Sequence, residues 1–255
     1  MTPAIDLSGA LLAVTWRTIG THRVLAVYDD RSAWYWALAT IGPGADLIGS
    51  FRAEVPAESW AAVTAIAADD EVVGSDQVPG ELGMTIGAGR RAGWVGLGSE
   101  QASRISAVVL PLVELALTQP VAAARLEIRL VTSPIGQRLA GFTLASIGSE
   151  PVSIRLDPEQ FSLSLPVGEW LALPPPRMGL VDPAGTLLDG LYTTAEIAPG
   201  TLGACTIVLD DPAAGLGGAA MRGALRGSLT LAGPWSAAPT EPFEASSVAQ
   251  SIVVP

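Results

Sequence analysis

Acidic side chains are the only potentially catalytic type this chain carries in number. There are 25 Asp and Glu residues, 14 basic residues that are all arginine, and one histidine. The sequence contains no lysine, which excludes Schiff-base chemistry and the phosphate-loop lysine. The acids cluster at Asp29-Asp30, Asp69-Asp70-Glu71 and Asp210-Asp211. None of these has calcium-loop spacing, and such runs commonly form solvated loops. A hydrolase built on carboxylates needs two of them about 5–10 Å apart across a cleft. His22 is the only imidazole, so metal sites needing two histidines are excluded. It falls in an expected turn beside Thr21 and Arg23 and reads as solvated. Cys205 alternates with Ile207 and Leu209, the pattern of a buried, inert thiol. No Gly-x-Ser-x-Gly motif occurs and no triad can be assembled, so no catalytic residue, metal or cofactor is expected.

Two groups of residues suit binding better than catalysis. In Ala33–Ala37, Trp34 and Trp36 share one strand face, while Ala33, Tyr35 and Ala37 share the other. Trp16, on a nearby strand, is expected to join the tryptophan pair. Core packing is the commoner fate of such rings, but an exposed set would stack on a sugar or anchor a partner. The second group is Gly87-Ala88-Gly89-Arg90-Arg91-Ala92-Gly93. It is phosphate-loop-like only superficially: its spacing misses the dinucleotide fingerprint, and a strand follows where a helix is needed. A hairpin turn is expected, with Arg90 and Arg91 available to an acidic partner.

The elements that must hold these residues follow from patterning. Gly9–Trp16, Arg23–Tyr28, Ala33–Ile41 and Leu47–Val55 read as an antiparallel meander joined by short turns. Pro56 can open a helix with Trp60, Val63 and Ile66 facing inward, ending unfavourably for its dipole at Asp69-Asp70-Glu71. Val72–Glu81 is expected as a loop. Met84–Gly87 and Gly93–Leu97 form a hairpin. Ser99 then caps a helix whose buried face is Ile105, Val108, Val109, Leu112, Val113 and Ala116. Pro111 should kink that helix or split it in two. Ala124–Val131 follows as a half-exposed strand, with Leu126, Ile128 and Leu130 opposite Arg125, Glu127 and Arg129.

Beyond that point strands dominate: Gln137–Ile147, Val152–Leu156, Gln160–Leu165, Trp170–Leu173, Leu187–Ala195, Ala204–Leu209 and Leu225–Leu231. Short strands with regular turns indicate a β-sandwich. Asp211–Gly223 is expected as a Gly-rich loop, and Ser236–Glu244 as linker-like. Phe142–Arg155 reads as two pairing strands around Gly148-Ser149-Glu150-Pro151. Ile197-Ala198-Pro199-Gly200 ahead of Ala204–Leu209 looks like the loop before a late strand of immunoglobulin-like domains. The stretch 124–235 thus resembles bacterial immunoglobulin-like modules, and in outline the small sandwich of intracellular proteinase inhibitors, with no inhibitory residue matched.

The expected fold is therefore an α+β N-terminal domain over 1–131, an antiparallel meander with two helices. An all-β immunoglobulin-like sandwich follows over 132–235, and a tail over 236–255 that can add an edge strand through Ser247–Val254. A net charge of −11 and pI near 4.4 disfavour nucleic acid and anionic membrane as partners. No run suits membrane insertion, and Met1–Ala10 has no signal-peptide pattern. With a single cysteine, a cytoplasmic location is expected. The absence of both lysine and asparagine fits a high-GC, bacterial genome. Mean hydropathy of +0.42 is high for a chain without a spanning segment, which suggests apolar surface reserved for a partner. The function expected is non-enzymatic binding or assembly through that surface and free sheet edges, with a protein partner or self-assembly into an oligomer. The alternative is a carboxylate-dependent hydrolase or a carbohydrate-binding module using Trp34 and Trp36.

Overall fold

The structure is a computed structural model. It describes residues 5–18, 21–39, 44–72, 83–88, 91–132, 135, 138–164, 170–173, 176–188, 190–208 and 222–253. The expected loop over 73–81, the Arg90 turn, Asp210-Asp211 and most of the 211–223 loop lie outside the described residues.

The N-terminal meander forms as β1 (Leu12–Thr18), β2 (Thr21–Val27), β3 (Ser32–Ala39) and β4 (Leu47–Glu54), each antiparallel to the next. The turn into β3 is tight. Arg31 takes a left-handed φ of 64°, and the Asp30 carboxylate accepts from both the backbone N–H and the hydroxyl of Ser32. α1 (Ala57–Ala68) follows Pro56, then the β5 (Gly83–Ala88)/β6 (Arg91–Gly96) hairpin, with β5 pairing β1. The acidic end of α1 has a tertiary explanation. Asp69 pairs with Arg104, and Asp70 with Arg91. These ties fix the helix end to its neighbours, and exposed pairs of this kind contribute at most about 1 kcal/mol each.

α2 (Glu100–Leu117) is capped by the Ser99 hydroxyl, which accepts from Ala102 N–H. The helix continues through Pro111 as one element and is not split in two. Pro111 and Ala107 both face solvent, so water can satisfy the carbonyl that proline leaves without a donor, while Val109, Leu112 and Val113 hold the buried side.

β7 (Pro120–Thr132) and β15 (Thr240–Val253) tie the chain together. One side of β7 pairs β4 through residues 120–125 and then β15, in parallel, through 128–132. β8 (Arg138–Ser146) pairs antiparallel with 124–132. β15 also pairs β14 (Arg222–Thr230), which pairs β9 (Val152–Ser164). Short strands branch from these: β10 (Trp170–Ala172) and β12 (Thr194–Ile197) from β9, and β13 (Leu202–Val208) from β8, with β11 (Gly179–Val181) beyond it. The protein is thus mostly β, with two helices and a large mixed sheet.

Three expectations differ in detail. The two strand segments at 152–156 and 160–165 are one strand, β9. Residues 142–155 are not a hairpin, because β8 pairs β7 and β13, whereas β9 pairs β10, β12 and β14. The C-terminal strand is no edge, since β15 lies between β14 and β7.

Two cores flank the N-terminal sheet. On one face Leu12, Val14, Leu25, Tyr35 and Phe51 pack under α1 and α2 through Val63, Ile66, Ile105 and Leu112. On the other, Ala13, Val24, Trp34 and Trp36 share a core with Phe142, Phe161, Leu225 and Phe243. The boundary expected near residue 131 falls inside β7, and this second core crosses it. β3 is buried from Ser32 to Leu38, as a strand covered on both faces must be.

Candidate interaction surface

The tryptophans singled out from sequence are interior. Trp36 is fully buried and Trp34 is 8% exposed; their rings stack at 6.2 Å. Trp36 also stacks on Trp235 at 4.9 Å and donates its indole N–H to Ala232 O. Arg52 lies over Trp34 at 5.5 Å, capping the row. Trp16 does not join this set: it belongs to the core beneath the helices, with Arg23 over its ring. None of the three offers an exposed stacking platform. For Trp34 and Trp36 the reason is the second core, in which strands from the other half of the chain cover the face that sequence alternation leaves open; Trp16 is covered by the helix-side core.

Arg91 is half-exposed but engaged, pairing with Asp70 and donating to Ala67 O. Arg90 lies outside the described residues. His22 is not in a solvated turn but in β2, half-buried, and its Nε2 has no hydrogen-bond partner among the described residues. Burial, and then the Arg17 charge, hold its pKa below the ordinary 6.5. Cys205 is buried, and burial raises its thiol pKa, opposed by a backbone hydrogen bond at Arg177.

A cleft of about 580 Å³ is lined by Asp30 and Glu54 together with Arg52, Ser32, Gln119 and Ser149. Two carboxyls in one cleft are a part of what the carboxylate-hydrolase alternative needs. The Asp30 carboxyl, however, is held below its ordinary pKa, first by the Ser32 hydroxyl and then by the Ser32 N–H. Asp30 is therefore a fixed anion at neutral pH and unsuited to donate a proton.

Most of the apolar side chains are consumed by the two cores. Large apolar residues that remain exposed among the described ones are Leu97, Leu110, Ile135, Leu187, Leu188, Leu191 and Val248. Three of these, Leu187, Leu188 and Leu191, belong to one segment, with exposures of 58%, 53% and 63%. The segment doubles back on β11. Val181 bridges to Leu187, Met178 exchanges backbone hydrogen bonds with Tyr192, and Leu188 N–H donates to Leu180 O. The turn between, Asp182–Thr186, is closed by the Asp182 carboxylate accepting from Thr186 N–H and by Gly185 at φ 85°. Leu187 lies across Gly179, where a Cβ would fall 2.5 Å from its methyl. The outer limb, residues 187, 188 and 190–192, pairs with no further strand among the described residues, so leucine side chains and backbone edge are presented together. A second edge is β6, which among the described residues pairs only β5.

This surface was missed in the sequence because Leu187–Ala195 reads as one more strand. The signal was present in Leu187-Leu188-Asp189-Gly190-Leu191, which lacks the alternation of a half-buried strand. The architecture defines a class no narrower than a mostly-β protein with two helices on a large mixed sheet. No family model matches the chain, and no curated protein matches its sequence. Among the described residues, no helix is long and apolar enough to cross a membrane.

Proposed function

We propose that this protein is non-enzymatic and works by binding and assembly, through the leucine-bearing hairpin 178–192 and free sheet edges. The observation that supports it is that Leu187, Leu188 and Leu191, three of the seven exposed large apolar residues among the described ones, lie together on one outermost segment. Exposed backbone and apolar side chains together are what strand-to-strand association uses. The partner argued for is a second copy, because an edge can pair antiparallel with itself about a two-fold axis. The net charge of −11 opposes association of like chains and is screened by salt, so self-association should strengthen with ionic strength.

The strands β8 to β14 are read as an immunoglobulin-like sandwich, supported by the edge-to-face contact of Phe142 on β8 with Phe161 on β9 at 5.2 Å. The test of the function is sedimentation of wild type beside Leu187→Asp/Leu191→Asp. Wild type should associate with rising concentration and the variant should not, at unchanged thermal stability.

A second reading rests on the Asp30/Glu54 cleft, as a carboxylate-dependent glycoside hydrolase. A panel of aryl glycosides tests it. Turnover abolished by Glu54→Gln would favour it, and no turnover by wild type would remove it.

A further inference from the structure

A cleft of about 330 Å³ lies where the chain's first residues meet the segment before β15. Tyr28 and Trp235 line it, with Asp6, Ser8, Pro234 and Pro239. The indole is held by the rest of the fold. It stacks on the buried Trp36, and its N–H donates to Asp6 O. That hydrogen bond also anchors the Asp6 backbone, so ring and carboxylate are positioned relative to each other. The Asp6 carboxylate accepts from Ser8 N–H. Among the described residues that line the cleft there is no arginine or histidine, and the one formal charge is that of Asp6. The Tyr28 hydroxyl is buried without a hydrogen-bond partner among the described residues. Its pKa is pushed up to about 12, by burial first and then by the Asp6 and Asp30 carboxylates.

Two aromatic rings beside an ionised carboxylate form a setting that attracts organic cations. The ring faces carry negative quadrupole density, and alkylated ammonium groups lose little hydration on entering. An anion would meet repulsion from Asp6, and a neutral glycoside would gain nothing from it. We propose that the Tyr28–Trp235 cleft binds a small organic cation of the alkylammonium class, with the rings contacting its alkyl groups and Asp6 balancing its charge. The site is distinct from the leucine hairpin and does not depend on the assembly reading.

The experiment is a titration of the full chain with choline, followed through the indole N–H resonances of its seven tryptophans. One resonance, absent from Trp235→Phe, should shift saturably. Affinity should be roughly tenfold above that of 3,3-dimethylbutan-1-ol, the uncharged isostere. Asp6→Asn retains a side-chain oxygen for Ser8 and should weaken choline several-fold without unfolding the chain. No saturable shift, equal binding of the isostere, unchanged affinity in Asp6→Asn, or binding of methyl glucoside in place of choline would each overturn the proposal.

Discussion

Trp36 is the largest fully buried side chain among the described residues. It has no exposure, stacks on Trp34 and Trp235, and bonds a carbonyl 196 residues away. Trp36→Ala should therefore lower stability by about 3–5 kcal/mol, measured from denaturant midpoints. A loss below about 1 kcal/mol would mean the row does not form. The alternation of Trp34 and Trp36 against Tyr35 was legible in the sequence. That both faces are covered was not, because the covering residues lie far along the chain. His22 titrates in a direction the sequence did not reveal. Its folded pKa lies below the ordinary 6.5, so the unfolded chain takes up the proton first. Stability should be full above that value and decline as pH falls through it, levelling off below the folded pKa. In His22→Gln that slope should vanish, as thermal midpoints between pH 7 and 5 would show. A wild-type midpoint rising on acidification through this range would contradict the burial argument.

Helices were the most legible elements. The Ser99 cap, the buried spacing of Ile105, Val109, Leu112 and Ala116, and the start of α1 after Pro56 all follow from local rules. Pro111 shows where those rules stop. Proline in a helix interior is less favourable than alanine by about 3 kcal/mol, and part of this is returned through the stiffer unfolded chain. The exposed Pro111→Ala variant should thus be more stable by roughly 1–3 kcal/mol. An unchanged or lower midpoint would show that the proline fits a bend which packing requires. Long strands were less legible than helices. β7 and β15 each change partners along their length, and a sequence pattern marks which face is buried but not which strand lies alongside. The leucine limb at 187–192 was hidden for a related reason: an apolar run looks the same whether it enters a sheet or lies on its rim.

Taken whole, the molecule spends its high hydropathy mainly on two cores, and only secondarily on surface. One of these cores joins Ala13, Trp34 and Trp36 to Phe161, Leu225 and Phe243, across the boundary that composition suggested near residue 131. Calorimetry should accordingly show one cooperative unfolding transition, with calorimetric and van't Hoff enthalpies in agreement. Two separable transitions would mean the shared core adds little coupling. Of the large apolar residues that remain exposed among the described ones, Leu187, Leu188 and Leu191 lie on one segment. The most direct measurement is sedimentation velocity over a wide concentration range, at low and moderate salt, for wild type and Leu187→Asp/Leu191→Asp. Reversible association of wild type, strengthened by salt and absent from the variant, is the expected result; a wild-type chain that stays monomeric throughout, or a variant that associates equally, would contradict assembly through this hairpin.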